Sequence, residues 1–145
     1  MEFDPTRMCE LLVGLPDVDV VGVDQPEPGE LIVMVEAREA RPSCGRCATV
    51  AWVKDRREVD LVDLPAFGQT VVLRVVRTRW SCPLFRCGVG SWTVEQPDIA
   101  PAGHRLTTRA ARWATRQVGG SGRPVAEVAA ELGCDWHTIN DAVIG

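Results

Sequence analysis

Apolar residues in the first hundred positions alternate with polar ones at the two-residue spacing of β-strands. The stretches 31-LIVMVEAR-38, 50-VAWVKDRREVDL-61 and 70-TVVLRVVRTRW-80 are rich in valine and carry charged residues between the apolar ones, as half-buried strands do. Turn-forming residues separate them at 25-QPEPGE-30 and 64-LPAFGQ-69. The pattern predicts a small hairpin up to residue 38, entered through a short helix or turn, and then a second pair of strands.

The pattern changes in the segment 97-PDIAPAGHR-105, which has the composition of a linker. Beyond it, alanine, arginine and glutamate recur at helical spacing. The change places a boundary near Pro101. We expect an α+β protein, with a β-rich unit of residues 1–100 followed by a three-helix unit of residues 101–145.

Three helices are predicted in the C-terminal unit. The stretch 106-LTTRAARWATRQV-118 has an apolar side and an arginine side, and glycines follow it. Pro124, a favourable first helical residue, begins a helix over 125-VAEVAAEL-132. Gly133 ends that helix, and Asp135 can cap a third over 136-WHTINDAVI-144.

Composition and charge narrow the class of protein. An apolar share of 46% over 145 residues is sufficient for globular folding. No apolar run approaches the roughly 20 residues of a bilayer span, and the N-terminus lacks a basic signal region. We therefore expect a soluble cytoplasmic protein without a membrane partner. The net charge of −4 is concentrated in residues 1–43, which have 3 basic and 10 acidic residues, so an anionic partner is compatible with the remainder.

Four of the six cysteines form two close pairs, Cys44 with Cys47 and Cys82 with Cys87. Without an export signal, clustered cysteines more often bind metal than form disulfides. Both spacings are those of zinc knuckles, and the predicted strands between them give the plan of a zinc ribbon. Four thiolates close the coordination sphere of Zn²⁺, so the expected metal is structural and not catalytic.

Other interpretations of the cysteines and histidines remain open. The two pairs could be reduced buried thiols, a thioredoxin-type redox couple or, in an exported chain, disulfides. Cys9 and Cys134 have no partner at ligand spacing and are expected to be small apolar packing residues. His104 and His137 are expected to be surface or hydrogen-bonded residues rather than metal ligands.

The last two predicted helices have the outline of a helix-turn-helix. Ala129 lies four residues before the turn glycine Gly133, where the helices must approach closely, and Ile139 lies six after it as an inward anchor. In this interpretation the second helix presents Trp136, His137 and Asn140 to the major groove, where asparagine can bond to adenine. The phosphate contacts would come from five arginines: Arg105, Arg109, Arg112, Arg116 and Arg123.

A plain helical bundle packed on the ribbon is the alternative, because no lysine or arginine lies between residues 124 and 145. Asp60 and Asp63 are interpreted as turn and strand-edge residues, and no arrangement of catalytic residues is evident.

The chain resembles, along most of its length, the N-terminal region of insertion-sequence transposases of the ISL-three family. The resemblance rests on several stretches, taken here in chain order. They are 11-LLVGLPDVDVVGVDQPEPGELIVMVEAR-38, 44-CGRC-47, 59-VDLVDLPAFGQTVVLRVVRTRWSC-82, 82-CPLFRC-87, 92-WTVEQP-97, 100-APAGHRLTTR-109 and 125-VAEVAAELGCDWHTI-139. It implies that the four paired cysteines bind zinc and that residues 125–144 bind the terminal inverted repeats of the element.

In that family a separate DDE domain cuts and joins DNA, and the resemblance carries no catalytic residue onto this chain. We therefore expect a non-enzymatic DNA-binding module that binds double-stranded DNA at element ends, with a nucleoid-associated location. Additional backbone contacts could come from Arg74, Arg77 and Arg79. The alternatives are a zinc-ribbon module that binds other proteins and a small transcriptional regulator. Formation of a homodimer is left open.

Overall fold

The structure is a computed structural model that describes residue 10 and residues 12–145. It contains a five-stranded sheet and three helices, which confirms the expected α+β class. The strands are β1 (Val18–Asp24), β2 (Glu30–Ala37), β3 (Trp52–Ala66), β4 (Gln69–Ser81) and β5 (Ser91–Trp92). The helices are α1 (Thr108–Thr115), which continues as a π-helical turn (Arg116–Gly120), α2 (Val125–Leu132) and α3 (Trp136–Ile144).

The sheet has the strand order β1-β2-β4-β3, and β5 pairs with the end of β4. The predicted hairpins are both present, since β1 pairs antiparallel with β2, and β3 pairs antiparallel with β4. The two hairpins are joined by parallel pairing of β2 with β4, from Glu30 beside Thr70 to Glu36 beside Val76. This central β4 gives the molecule one continuous sheet rather than two separate hairpins.

One face of the sheet carries the first hydrophobic core. Val35, Leu61, Leu73 and Val75 are buried there together with Ile99 and Ala100 from the segment that follows β5. Burial of these last two apolar residues stabilises the docked position of their segment. The predicted linker of residues 97–105 is therefore part of the fold over its first half.

The second core is formed mainly by the helices. Ala110 and Ala114 of α1, Val128 and Leu132 of α2, and Ile139 of α3 are buried in it, and the partly buried Val62 and Leu64 of β3 pack against them. The helical unit thus rests on the sheet, and the inward position predicted for Ile139 is confirmed.

Helix ends follow the sequence signals closely. The Asp135 side chain accepts a hydrogen bond from the backbone N–H of Thr138, which caps α3. Gly133 adopts φ 77° after α2, a left-handed conformation that favours glycine. A Cβ atom at this position would lie 2.9 Å from Cγ2 of Thr70, so the turn glycine also permits the helices to approach the sheet.

The helix α2 covers Val125–Leu132, as predicted, and Pro124 is the capping residue before it. The first helix, α1, begins later than predicted, at Thr108 rather than Leu106. The reason is that Leu106 pairs with Val62 in a short parallel bridge. Val62 N–H donates to the Arg105 carbonyl at 2.8 Å, and Thr107 N–H donates to the Val62 carbonyl at 3.0 Å.

A buried ion pair strengthens this joint between sheet and helices. Asp63 of β3 is 2% exposed, and its Oδ1 accepts hydrogen bonds from Arg109 Nε at 2.9 Å and from the Thr107 hydroxyl at 2.8 Å. Arg109 also donates to the Val13 carbonyl. Asp63 lies on β3, an edge strand of the sheet, in agreement with its interpretation as a strand-edge residue. Its buried carboxylate also anchors α1 to the sheet.

The described helices are all too short or too polar to span a bilayer.

Candidate metal centre and nucleic-acid interface

The two cysteine pairs meet at one end of the long β3-β4 hairpin. The first pair lies just before β3 and the second just after β4, and the register of the hairpin places Trp52 opposite Ser81. The two knuckles are therefore brought side by side, as the spacing predicted. We call this region, residues 43–52 and 81–92, the knuckle end.

The sulfur atoms of the four cysteines, Cys44, Cys47, Cys82 and Cys87, all lie within 4.8 Å of one another. Two separations between the pairs are 3.7 Å, from Cys44 to Cys87, and 3.5 Å, from Cys47 to Cys82. The two sulfur atoms of a disulfide bond are about 2.05 Å apart. Four sulfurs at about 2.3 Å from one tetrahedral ion are about 3.8 Å apart. The cluster therefore fits a metal ion, and the four cysteines are free thiols in this structure.

The surroundings of the thiols differ between the knuckles. Hydrogen bonding with the side chain and backbone of Thr49 lowers the pKa of Cys47 to about 6. Backbone N–H groups of Cys47 and Arg46 lower the pKa of Cys44. Burial raises the pKa of Cys82 to about 12 and also raises the pKa of Cys87. The first knuckle therefore provides thiolates readily, and the second would depend on a cation to become deprotonated.

The first knuckle contains a strained residue. Ala48 has φ 62°, and its N–H donates to the Cys44 carbonyl at 2.8 Å. In the second knuckle the left-handed residues are glycines, Gly88 and Gly90. An alanine in this conformation is disfavoured because its Cβ approaches the backbone.

Replacement of Ala48 by glycine is expected to stabilise the protein by about 0.5–1 kcal/mol, the balance between relief of strain and the greater freedom of glycine in the unfolded chain. Urea denaturation at fixed metal concentration measures the change. Ala102 is an exposed alanine without a positive φ, so Ala102→Gly is the matched control and should be destabilising. Equal effects of the two substitutions would contradict the assignment of strain to Ala48.

The remaining cysteines and histidines lie apart from this cluster. Cys134 is partly buried next to the helical core, in agreement with a packing role, and Cys9 lies outside the described residues. His104 is exposed in the segment before α1, and His137 is exposed on α3, with its ring 5.3 Å from that of Trp136. Neither histidine belongs to the four-residue metal cluster.

The outer side of α3 presents polar and aromatic groups to solvent. Trp136 is 46% exposed, His137 and Asp141 are exposed, and Asn140 is half-buried. Beside this helix lies an open groove of about 530 Å³, which includes His104 and Arg105 on the opposite wall. Trp136, His137 and Asn140 lie among the first five residues of α3, the second helix of the pair. Helix-turn-helix proteins contact base edges from this part of the helix.

The five arginines predicted to contact phosphates fall into two groups. Arg105, Arg112 and Arg116 are exposed, and Arg105 also lies 3.9 Å from the Asp135 carboxylate in an exposed ion pair. Arg109 is bound to Asp63, and Arg123 bonds to Glu127, Glu131 and Gln117 with its guanidinium 5.9 Å from the Trp113 ring. The first three have free surface for an anionic partner, and the last two hold the helices in position.

Residues 95–144 match the family model described as the helix-turn-helix domain of transposase family ISL3. The match begins with the segment that covers the sheet and includes all three helices. It supports a DNA-binding helix-turn-helix region of the transposase type in roughly the last third of the chain. No curated protein and no solved structure is significantly similar to the chain.

Proposed function

We propose that this chain is a zinc-binding, DNA-binding module of a transposase and that it recognises the terminal inverted repeats of an insertion sequence. The observation that carries the proposal is the family match over residues 95–144, which contains the exposed face of α3. In this proposal α3 enters the major groove, and residues 101–145 form a helical unit attached to the β-rich unit of residues 1–100.

Base recognition is assigned to Trp136, His137 and Asn140. Asn140 can donate and accept in one plane, which matches the paired donor and acceptor of adenine. The phosphate contacts are assigned to Arg105, Arg112 and Arg116, because Arg109 and Arg123 are engaged within the protein. Those two arginines contribute indirectly by fixing the orientation of α1 and α2.

Zinc is proposed as the metal of the cysteine cluster, since four clustered cysteine thiolates are a ligand set of structural Zn²⁺ sites. When bound, the ion would hold the open end of the β3-β4 hairpin together. The proposed role of this chain is DNA binding without catalysis.

The proposal is tested by selection of binding sites from a randomised duplex library, followed by mobility-shift titration of the selected sequence. We expect a consensus that matches repeats flanking the gene. His137→Ala with Asn140→Ala should reduce the preference for that sequence by at least about tenfold, because each good base contact contributes about 1–3 kcal/mol.

Ile144→Ala is the matched control for this test, since Ile144 is exposed at the far end of the same helix. It should leave the sequence preference unchanged. Selection without a consensus, or an unchanged preference in the double variant, would contradict the assignment of α3 to base recognition.

A second candidate function, a protein-interaction module, is favoured by the apolar surface of the knuckle end. Phe85 is 99% exposed, and Trp52 and Leu84 are also largely exposed. In this case Phe85→Ala with Leu84→Ala should abolish binding to a partner protein, whereas the α3 variants should retain it.

A further inference from the structure

Two arginines face each other on the sheet with the same charge. The register of β3 and β4 places Arg57 directly opposite Arg77. Like charges directly across an antiparallel pair destabilise a sheet unless an opposite charge lies close by.

Neighbouring arginines of the same hairpin have carboxylate partners. Arg79 lies 3.0 Å from Asp55, Arg74 lies 2.8 Å from Asp60, and Arg56 lies 2.7 Å from Glu36. The Arg57 Nε atom lies as far as 4.0 Å from Oδ1 of Asp55, and the Asp55 carboxylate is already paired with Arg79. One carboxylate is thus shared by two arginines on this face.

Arg77 is the least satisfied of the group. Its Nε and Nη2 atoms are buried and have no hydrogen-bond partner among the described residues. A buried donor without a partner costs about 1–3 kcal/mol, and more when the group is charged. The arginine pair therefore carries both excess positive charge and unused donors.

These arginines line an open groove of about 500 Å³ between the sheet and the segment that precedes α1. Arg57, Arg77 and Arg79 form one wall, and His104 and Arg105 contribute to the other. The acidic residues of the lining are Glu95, which is exposed, and Asp60, which is held by Arg74. The side chains that line the groove therefore keep a net positive charge after their ion pairs are counted.

The same groove leads to the exposed face of α3. Residues Gly103, His104 and Arg105 line both this groove and the groove beside α3. A chain of phosphates that passes the N-terminal half of α3 can therefore continue along Arg105 toward Arg57 and Arg77.

We propose that Arg57 and Arg77 form a second phosphate-binding site, on the sheet, which holds the DNA backbone that flanks the sequence bound by α3. The proposal rests on the proposed function, because it extends the same DNA-binding surface. A phosphate in the groove beside the two guanidinium groups would accept hydrogen bonds from Arg57, whose side chain is 61% exposed, and would offset the repulsion between the two charges. The site contacts only the backbone, so it adds affinity and position without sequence preference.

The test is a titration of duplex binding against salt, with Arg57→Gln combined with Arg77→Gln, on a duplex of about 30 base pairs of random sequence. The logarithm of the binding constant falls with slope about −0.9 per phosphate contact. The double variant loses one phosphate contact and should therefore reduce the slope by about 0.9 and weaken binding by about tenfold near 0.1 M salt. Its stability to urea should be unchanged or raised, because the repulsion is removed.

Arg38→Gln with Arg56→Gln is the matched control, since it removes the same charge from exposed positions of the β-rich unit whose side chains are paired with acids. The control should keep the slope of the unchanged protein. Equal slopes in the double variant and the unchanged protein would overturn the proposal while the proposed function stands. Loss of sequence preference in the α3 variants with the slope retained supports separate base and backbone sites. Failure of the unchanged protein to bind DNA would overturn both proposals.

Discussion

Replacement of Cys82 by serine is expected to remove the bound metal and to open the knuckle end of the hairpin. Cys82 lies 3.5 Å from Cys47 across the two knuckles, so its loss leaves three sulfur ligands. Metal binding and folding are coupled at such sites, because the unfolded chain does not hold the ligands together. At free metal about 1,000-fold above the dissociation constant, binding contributes about 4 kcal/mol of stability.

The metal content measured by elemental analysis should fall from about one ion per chain to near none. The Tm should fall by roughly 10 °C or more. Amide hydrogen exchange shows which part of the structure opens in the variant. The N–H groups of Cys44 and Ala48, which bond across the first knuckle, should lose protection. The buried strand positions Val35 and Val75 should keep it, because they lie in the sheet core.

Cys134→Ser is the matched control for the metal site, since Cys134 packs beside the helical core away from the cluster. Its metal content should equal that of the unchanged protein. Retention of one ion per chain by the Cys82→Ser protein would contradict the four-cysteine site. So would an unchanged protein whose Tm is the same with and without a chelator.

Asp63→Ala is expected to destabilise the protein by about 2–4 kcal/mol. The substitution leaves Arg109 without its carboxylate partner and removes the acceptor of the Thr107 hydroxyl. Removal of one member of a buried pair typically costs about 3–5 kcal/mol. We expect a somewhat smaller loss here, since the Arg109 side chain is 33% exposed and water can reach it. Urea denaturation with metal held constant measures the change.

Asp60→Ala is the matched control on the same strand. Asp60 pairs with Arg74 at 2.8 Å, but its side chain is 51% exposed, so this loss should stay below about 1 kcal/mol. A double variant, Asp63→Ala with Arg109→Met, should recover part of the stability, with a coupling of about 1–3 kcal/mol. Additive losses in the double variant would show that the two residues act independently.

Local signals predicted the parts of this fold that depend on neighbouring residues. The convergence of the cysteines followed from knuckle spacing and from strands that form a hairpin, and the capping by Asp135 and the turn at Gly133 followed from short-range geometry. The class of the C-terminal unit was predicted from the same signals and is supported by the family match. The identity of the metal and the residues that contact DNA stay predictions.

Features that depend on the register of the strands could not be predicted from the sequence. A strand pattern shows which face a residue occupies but not which residue lies opposite, so the pairing of Arg57 with Arg77 could not be foreseen. The parallel pairing of β2 with β4 and the contact of Asp63 with Arg109 join residues more than 30 positions apart. Arg109 therefore looked like one more residue of a basic helix face, although it serves as an internal anchor.

The hairpin also sets a length. Val62, where the segment before α1 joins the sheet, lies ten residues along β3 from Trp52 at the knuckle end. A β-bulge between Val53 and Asp55 adds one residue to β3, and the same span covers nine residues of β4, from Val72 to Ser81. At about 3.3 Å per residue this is about 30 Å, a little less than the roughly 34 Å of one turn of duplex DNA. A duplex bound along the sheet would therefore meet the two ends of this span at points nearly one helical turn apart.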